Sequence, residues 1–339
     1  MFTGNALALT ARRRSVLMLI AAAASWGATT SLSELVLRRL RPADLLVVEL
    51  LTAAIVLTGV VAFRRRPHDL VGTRPYVLLG LLEPGLLFLL FDLGLRRTSA
   101  VSAGLLVSTQ ALFGVLAAAV FLRERATVPT MVALLSGVAG AVLITAHGGS
   151  EGQSLLGDTL VLAGSAVGGV YVVFARRLPA GVDTLTGTAC QLIGALPMAA
   201  LAAAVTWSSQ GSELGDAPAT VVAGAVAVGV LGGVVPYLLV NKALHTVRAS
   251  DAALVLNLTP LFAVAGAVLL LHEVPTVEVA AGGLLLVGGL AVLASSQRAA
   301  GANVPDDAAD EPGCPAVALG SPPQGERVGV VTAARRSGA

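Results

Sequence analysis

The sequence predicts an all-α membrane protein of ten transmembrane helices, arranged as two inverted five-helix repeats and followed by a disordered C-terminal tail. Three observations carry this. Hydrophobic residues make up 55% of the chain and charged residues 12%, where a soluble domain carries roughly 25% charged residues. Apolar runs long enough to cross a hydrocarbon core of ~30 Å, which takes about 20 residues, recur from one end to the other. And the chain repeats itself: shifted by 149 positions, Ala100 to Ile144 lies on Ala249 to Leu293.

That duplicated window defines the unit. Leu112-Phe113 falls on Leu261-Phe262, Leu122-Arg123-Glu124 on Leu271-His272-Glu273, Thr127-Val128 on Thr276-Val277 and Gly140 on Gly289. Roughly a third of the window is identical without a gap, as internal duplication requires. Each copy is an apolar run, a Leu-x-Glu break and a second apolar run, which predicts two membrane helices joined by a short turn. The same offset carries the third span onto the eighth: Gly80 meets Gly229, Phe88 meets Tyr237, Leu89-Leu90 meets Leu238-Leu239, Asp92 meets Asn241 and Leu95 meets Leu244.

The spans fall near 15–37, 45–63, 76–95, 100–121, 129–146, 155–175, 184–206, 219–241, 250–271 and 277–295. The first follows Arg12-Arg13-Arg14 but is too long for a signal peptide, and no cleavage-type segment precedes Arg38-Arg39. The organisation is therefore a cytoplasmic N-terminus at 1–14, a first repeat at 15–146, a second at 155–295 and a cytoplasmic tail at 296–339. The tail is rich in Gly, Pro, Asp, Ala and Ser without periodicity, a composition that cannot bury a core. Ala, Gly, Leu and Val dominate the spans and aromatics are scarce, which suits close helix packing rather than a girdled barrel.

Basic residues set the orientation. Arg12 to Arg14, Arg64 to Arg66, Arg74, Arg123, Arg125, Arg176, Arg177, Lys242, Arg248 and Arg298 share one side; only Arg38, Arg39, Arg41, Arg96 and Arg97 lie on the other. By the positive-inside rule both termini are cytoplasmic in the cell (inner) membrane. The loops at 147–151 and 208–216 carry no Lys or Arg and belong outside. An odd number of spans per repeat makes the second copy enter from the opposite face. In secondary transporters such inverted repeats hold a mid-membrane site between them and give alternating access.

Several short motifs now come together. Trp26-Gly27, Arg96-Arg97-Thr98-Ser99-Ala100, Leu122-Arg123-Glu124-Arg125, Gly157-Asp158, Ala249-Ser250-Asp251-Ala252-Ala253, Pro260 and Leu271-His272-Glu273 resemble the EamA repeats of the drug/metabolite transporter superfamily, over about 15–295. The resemblance implies ten helices, two EamA repeats and export of amino acids or other small metabolites, by proton coupling or exchange. The family commonly has an arginine about seven residues after a proline in the second span; here Pro42 is followed at that distance by Glu49.

Candidate functional residues are polar groups that an apolar span holds at a cost, about 2.5–3.5 kcal/mol for a charge near the helix centre on insertion scales. Glu83 is the deepest and sits beside Pro84, which frees a backbone carbonyl; it is the expected proton-coupling carboxylate, against a purely structural role. Trp26, Glu49, Gln110, Gln191, Tyr237, Asn257 and Pro260 form the expected substrate-binding set. Interhelical hydrogen bonding explains Gln110, Gln191 or Asn257 singly; together they offer donors and acceptors to a zwitterion. Glu49 also lies near enough to the span's end to reach headgroup depth. Pro260 with Thr259 is expected to break the ninth helix. Asp92, matched by Asn241, reads as a structural hydrogen-bonding group, Glu34 as interfacial, and Glu124 and Glu273 as caps of the helices that follow them.

Cys190 and Cys314 give no metal spacing and no disulfide framework, and His68, His147, His245 and His272 lie at loops or span ends. No catalytic set, metal site or cofactor motif is present, so no enzyme is expected. The leading expectation is an exporter of small polar metabolites, and the alternative a drug or secondary-metabolite efflux pump. A non-transporting scaffold or an intramembrane enzyme are the readings from other classes. Expected partners are the small-molecule substrate, the bilayer, protons and, left open, a second copy of the chain, but not nucleic acid.

Overall fold

The computed structural model describes residues 2–64, 72–123, 127–147, 154–179, 181–247, 252 and 255–302. The loop residue Glu124 and the tail beyond 302 lie outside them. Among the described residues there is no strand. The helices are α1 (Phe2–Leu37), α2 (Pro42–Phe63), α3 (Arg74–Gly80), α4 (Leu87–Leu95), α5 (Ala100–Leu106), α6 (Gln110–Phe121), α7 (Val128–His147), α8 (Leu155–Ala175), α9 (Thr184–Gln210), α10 (Ala219–Gly233), α11 (Val235–Leu244), α12 (Thr259–Gly266) and α13 (Val277–Ala302).

Nine stretches among the described residues are long and apolar enough to cross a membrane, and Thr259–Leu271 is a shorter apolar helix where the ninth of ten spans was expected. It is shorter because a turn at Asn257-Leu258 precedes it and Pro260 sits in its first turn. Proline suits a helix start, where its missing N–H has no partner to lose.

The span Arg74–Leu95 is broken in its middle. Between α3 and α4 the backbone runs through a π-helical turn, Leu81–Leu86, in which Glu83 is extended at φ −135° and ψ 120°. Pro84 provides the local cause, since it lacks an N–H and crowds the preceding turn. The span Ala219–Leu244 breaks between α10 and α11, where Val234 lies at φ −123° and ψ −60° between Gly233 and Pro236. A 3-10 turn, Val107–Thr109, separates α5 from α6. These irregularities recur at the offset of the sequence repeat: the Leu81–Leu86 break matches the Val234 break, and Val107–Thr109 matches the Asn257-Leu258 turn. Arg123 and His272, also one offset apart, both take the left-handed conformation, at φ 55° and 56°.

Packing pairs the two halves. α1 lies along α10, α11 and α12, while α8 lies along α4 and α6; α2 packs on α9 and α10, α3 on α9, and α7 on α13. Small residues permit these approaches. A Cβ on Gly80 would run into the Gln191 carbonyl and one on Gly194 into the Val77 carbonyl, so α3 and α9 touch backbone to backbone. Gly140 and Gly282 do the same for α7 and α13.

One end of the bundle is laced by hydrogen bonds. The Asp44 carboxylate accepts from Trp207 Nε1 (2.8 Å), Ser212 Oγ (2.8 Å) and the Glu213 amide (3.1 Å). Arg41 donates to the Gly211 carbonyl at 2.6 Å and pairs with Glu213 at 3.4 Å. Glu273 accepts from the Ala100 and Val101 amides, at 3.2 and 3.0 Å, and Glu34 also accepts from Ala100, at 3.0 Å. Glu273 therefore caps α5, across the bundle, and not the helix that follows it, as the sequence suggested. Thr276 Oγ1, which accepts from the Val279 amide at 3.3 Å, serves α13 instead.

Candidate functional site

A polar and aromatic group gathers around the two broken spans. Glu83, in the π-helical turn, accepts a 3.0 Å hydrogen bond from Gln110 Nε2. Gln110 opens α6 directly after the 3-10 turn, and Gly168 of α8 leaves it room, because a Cβ there would overlap its side-chain amide. From α9, Gln191 Nε2 donates to the Tyr171 hydroxyl of α8 at 2.7 Å, with both side chains buried. Tyr171 and Tyr237 each lie close enough to feel the charge of Glu83.

Trp26 completes the group from α1. Its ring meets Tyr237 edge-on, with centroids 5.5 Å apart and planes at 86°, the geometry that aromatic quadrupoles favour. Its Nε1–H donates to the Gly232 carbonyl at 2.9 Å. That carbonyl lies four residues before Pro236, whose ring nitrogen has no hydrogen to offer it. Trp26 thus supplies the donor that proline removes, and Ser25 Oγ donates to the neighbouring Leu231 carbonyl at the break, at 2.6 Å. The break in the eighth span is satisfied from the first, as exposed backbone at membrane depth demands.

Of the expected site residues, the structure brings together Glu83, Gln110, Gln191, Tyr237 and Trp26. Glu49 is not among them: it is buried on α2, which packs on α4, and its electrostatic neighbour is Asp92. Asn257 lies half-buried in the turn before α12 and Pro260 is buried in that helix's first turn; among the described residues no hydrogen bond ties Asn257 to the group. Tyr171 was missed by sequence reasoning. The signal was its rarity: the chain has only three tyrosines.

A cleft of 630 Å³ lies elsewhere, at the hydrogen-bonded end of the bundle, between the start of α2, the end of α4 and the last turns of α9. Its lining is mostly apolar, with Thr206, Gln210 and the three arginines Arg41, Arg96 and Arg97 among it. No metal-binding cluster of three His, Cys, Asp or Glu occurs among the described residues.

Broken apolar spans that bring an acid, amides and aromatic rings together define a multi-pass membrane protein with a polar group among its helices. The chain belongs to the EamA-like transporter family, which matches it over residues 13–146 and 155–295. It is similar to the uncharacterized transporter YdfC of Bacillus subtilis, with 28% identity over 244 residues, 70% of this chain and 76% of that protein. An uncharacterized transporter of Archaeoglobus fulgidus is 27% identical over 220 residues, 63% of this chain and 73% of its own. A solved crystal structure superposes with a TM-score of 0.54 at 22% identity, covering 84% of this chain and 98% of its own, and this speaks to the fold alone. The family and these relatives are transporters, not enzymes, which implies a bilayer and a small-molecule substrate.

Proposed function

We propose that the protein is a ten-span secondary transporter of the inner membrane that exports small polar metabolites, amino acids or related compounds, by proton-coupled alternating access. The observation that carries this reading is the group formed by Glu83, Gln110, Tyr171, Gln191, Tyr237 and Trp26 around two broken spans. A carboxylate supplies a site for a substrate ammonium or a proton. The amides and hydroxyls satisfy a carboxylate or a polar side chain, and the rings form an apolar wall.

The two halves, 15–146 and 155–295, act in this reading as inverted five-span repeats with both termini in the cytoplasm. Matched helix pairs support it: α1 on α11 and α12 answers α8 on α4 and α6, and α2 on α10 answers α9 on α3. The matched breaks at Glu83 and Val234 also support it, since rocking of such halves exposes a shared centre to either face in turn. Glu83 is the proton-coupling residue of the reading, bonded to Gln110 whichever species it holds.

A drug-efflux reading draws on one observation, the Trp26–Tyr237 pair, whose ring faces suit an organic cation. Flux across proteoliposomes separates the two. The purified chain is loaded with a panel of amino acids and cationic drugs, with and without an imposed pH gradient. Gradient-dependent flux of one amino-acid group is the expected result; flux of drugs alone replaces the reading, and flux of nothing in either panel overturns it.

A further inference from the structure

We propose that Glu49 and Asp92 form a second proton-binding site, a buried acid pair set apart from Glu83 towards the Ala100 end of the bundle; this deepens the proton-coupled reading and rests on it. Glu49 lies seven residues into α2, about 10 Å along a helix that rises ~1.5 Å per residue, and Asp92 lies three residues before the end of α4. The two helices pack together. Glu49 is 5% exposed and Asp92 2%.

Glu49 and Asp92 are electrostatic neighbours across the contact between α2 and α4. A carboxylate has no hydrogen to donate, so two neighbouring acids can bond one another when one of them carries a proton. Two unprotonated carboxylates in contact within a low-dielectric core would repel with nothing to offset the loss of water.

A second observation is that the surrounding helices offer the pair no amide or hydroxyl donor at one oxygen of each acid. Glu49 Oε1 and Asp92 Oδ2 are both buried and accept no hydrogen bond. A structural pair would have those oxygens satisfied by amides or hydroxyls, as Asp44 is. Without a donor to stabilise a charge on them, these oxygens favour a bound proton in the reading proposed.

Among the described residues no ion pair joins either member to a base. Of the titratable groups on the packed elements, Asp44 is held by Trp207 and Ser212, Glu34 by Ala100 and Arg38, Asp158 by Thr98 and Glu83 by Gln110. The charge that Glu49 meets is that of Asp92. α10, which crosses α2 so closely that a Cβ on Gly229 would meet the Glu49 backbone, carries no ionisable side chain. The cleft at that end is lined by Leu89 and Leu93, which flank Asp92 on α4, and by Pro42 and Ala43 at the start of α2. In the second half Asn241 stands at the position of Asp92, so only the first half stores protons in this way.

The test is proton counting on the purified full-length chain in lipid nanodiscs, with no substrate present. Protons released between neutral and alkaline pH are measured in weak buffer, with the infrared carboxylic C=O band as a parallel readout. The double variant Glu49→Gln/Asp92→Asn, which keeps size and hydrogen bonding, is expected to release one proton per chain fewer than the wild type, and Glu83→Gln is expected not to remove that proton. An unchanged proton count in the double variant overturns the proposal. If the double variant does not fold, Asp92→Asn alone is read by the same band, where a shifted titration supports the pair and an unshifted one rejects it. Because no substrate is used, failure of the amino-acid flux panel leaves this result standing, and the reverse holds too.

Discussion

Replacing Glu273 with alanine removes the carboxylate that accepts from the Ala100 amide at 3.2 Å and from the Val101 amide at 3.0 Å. The two amides differ in what remains. Ala100 keeps Glu34 Oε2 at 3.0 Å, whereas Val101 loses its side-chain acceptor. Side-chain caps of helix N-termini contribute ~0.5–2 kcal/mol, and a carboxylate there gains ~0.3–1 kcal/mol from the helix dipole. Glu273→Ala is therefore expected to cost about 1–2 kcal/mol, within that capping range. Glu34→Ala should cost less, because Glu273 still serves Ala100 and the Arg38 partner of Glu34 is largely exposed. The two changes share one donor, so the double variant should lose more than the sum, by about 0.5–1 kcal/mol at the low end of couplings between neighbours. Thermal unfolding in detergent, followed by tryptophan fluorescence, reads these differences as roughly 2–4 °C per kcal/mol for a chain of this order of size. Hydrogen exchange supplies the location. Glu273→Ala should weaken protection at the start of α5 and spare α13, which Thr276 caps. A variant as stable as wild type, or one that frays α13 alone, would refute the cross-bundle cap.

Three further outcomes are expected. Gly80→Ala or Gly194→Ala drives a methyl into a backbone carbonyl between α3 and α9, an overpacking worth about 1–3 kcal/mol; monodisperse yield should fall, while Gly59→Ala, with nothing within 4 Å, should match wild type. Trp26→Phe keeps the ring but leaves the Gly232 carbonyl unpaired, at ~1–3 kcal/mol for an unsatisfied buried group, so thermal stability should drop more than with an aromatic swap at the exposed Phe63. Tyr171→Phe and Gln191→Leu remove opposite ends of one 2.7 Å hydrogen bond; a double-mutant cycle on stability should give a coupling of about 0.5–3 kcal/mol, and additivity would show that the bond contributes nothing.

Much of this was legible in the chain because the membrane simplifies the reading. With no water to satisfy backbone groups, an apolar run of span length must be a helix. Proline and glycine inside a run then mark its irregularities, as Pro84 and Gly233 do at the two breaks. The duplication located the matched positions before any contact was known. The ninth span was harder, since hydropathy registers apolar length but not the turn at Asn257-Leu258. Side-chain partners were harder still. Glu49 and Asp92 are distant in sequence on different spans, and nothing in either neighbourhood signals that the two acids meet. The alignment of Asp92 with Asn241 even suggested a hydrogen-bonding role common to both halves. Glu273 was misread for a related reason: a carboxylate just before a helix normally caps it, and only the packing of the halves brings the start of α5 within reach. Tyr171 escaped notice because a tyrosine in an apolar span looks like core until Gln191 and Glu83 are placed beside it.

The most direct test of the central claim is transport by Glu83→Gln in proteoliposomes, with an amino acid carried by the wild-type protein as the solute. The glutamine preserves size and can still bond Gln110, so the group around the breaks should stay assembled. The expected result is loss of flux driven by an imposed pH gradient, with substrate exchange at equal pH retained. Gradient-driven flux equal to wild type would contradict the account and remove Glu83 from the coupling mechanism.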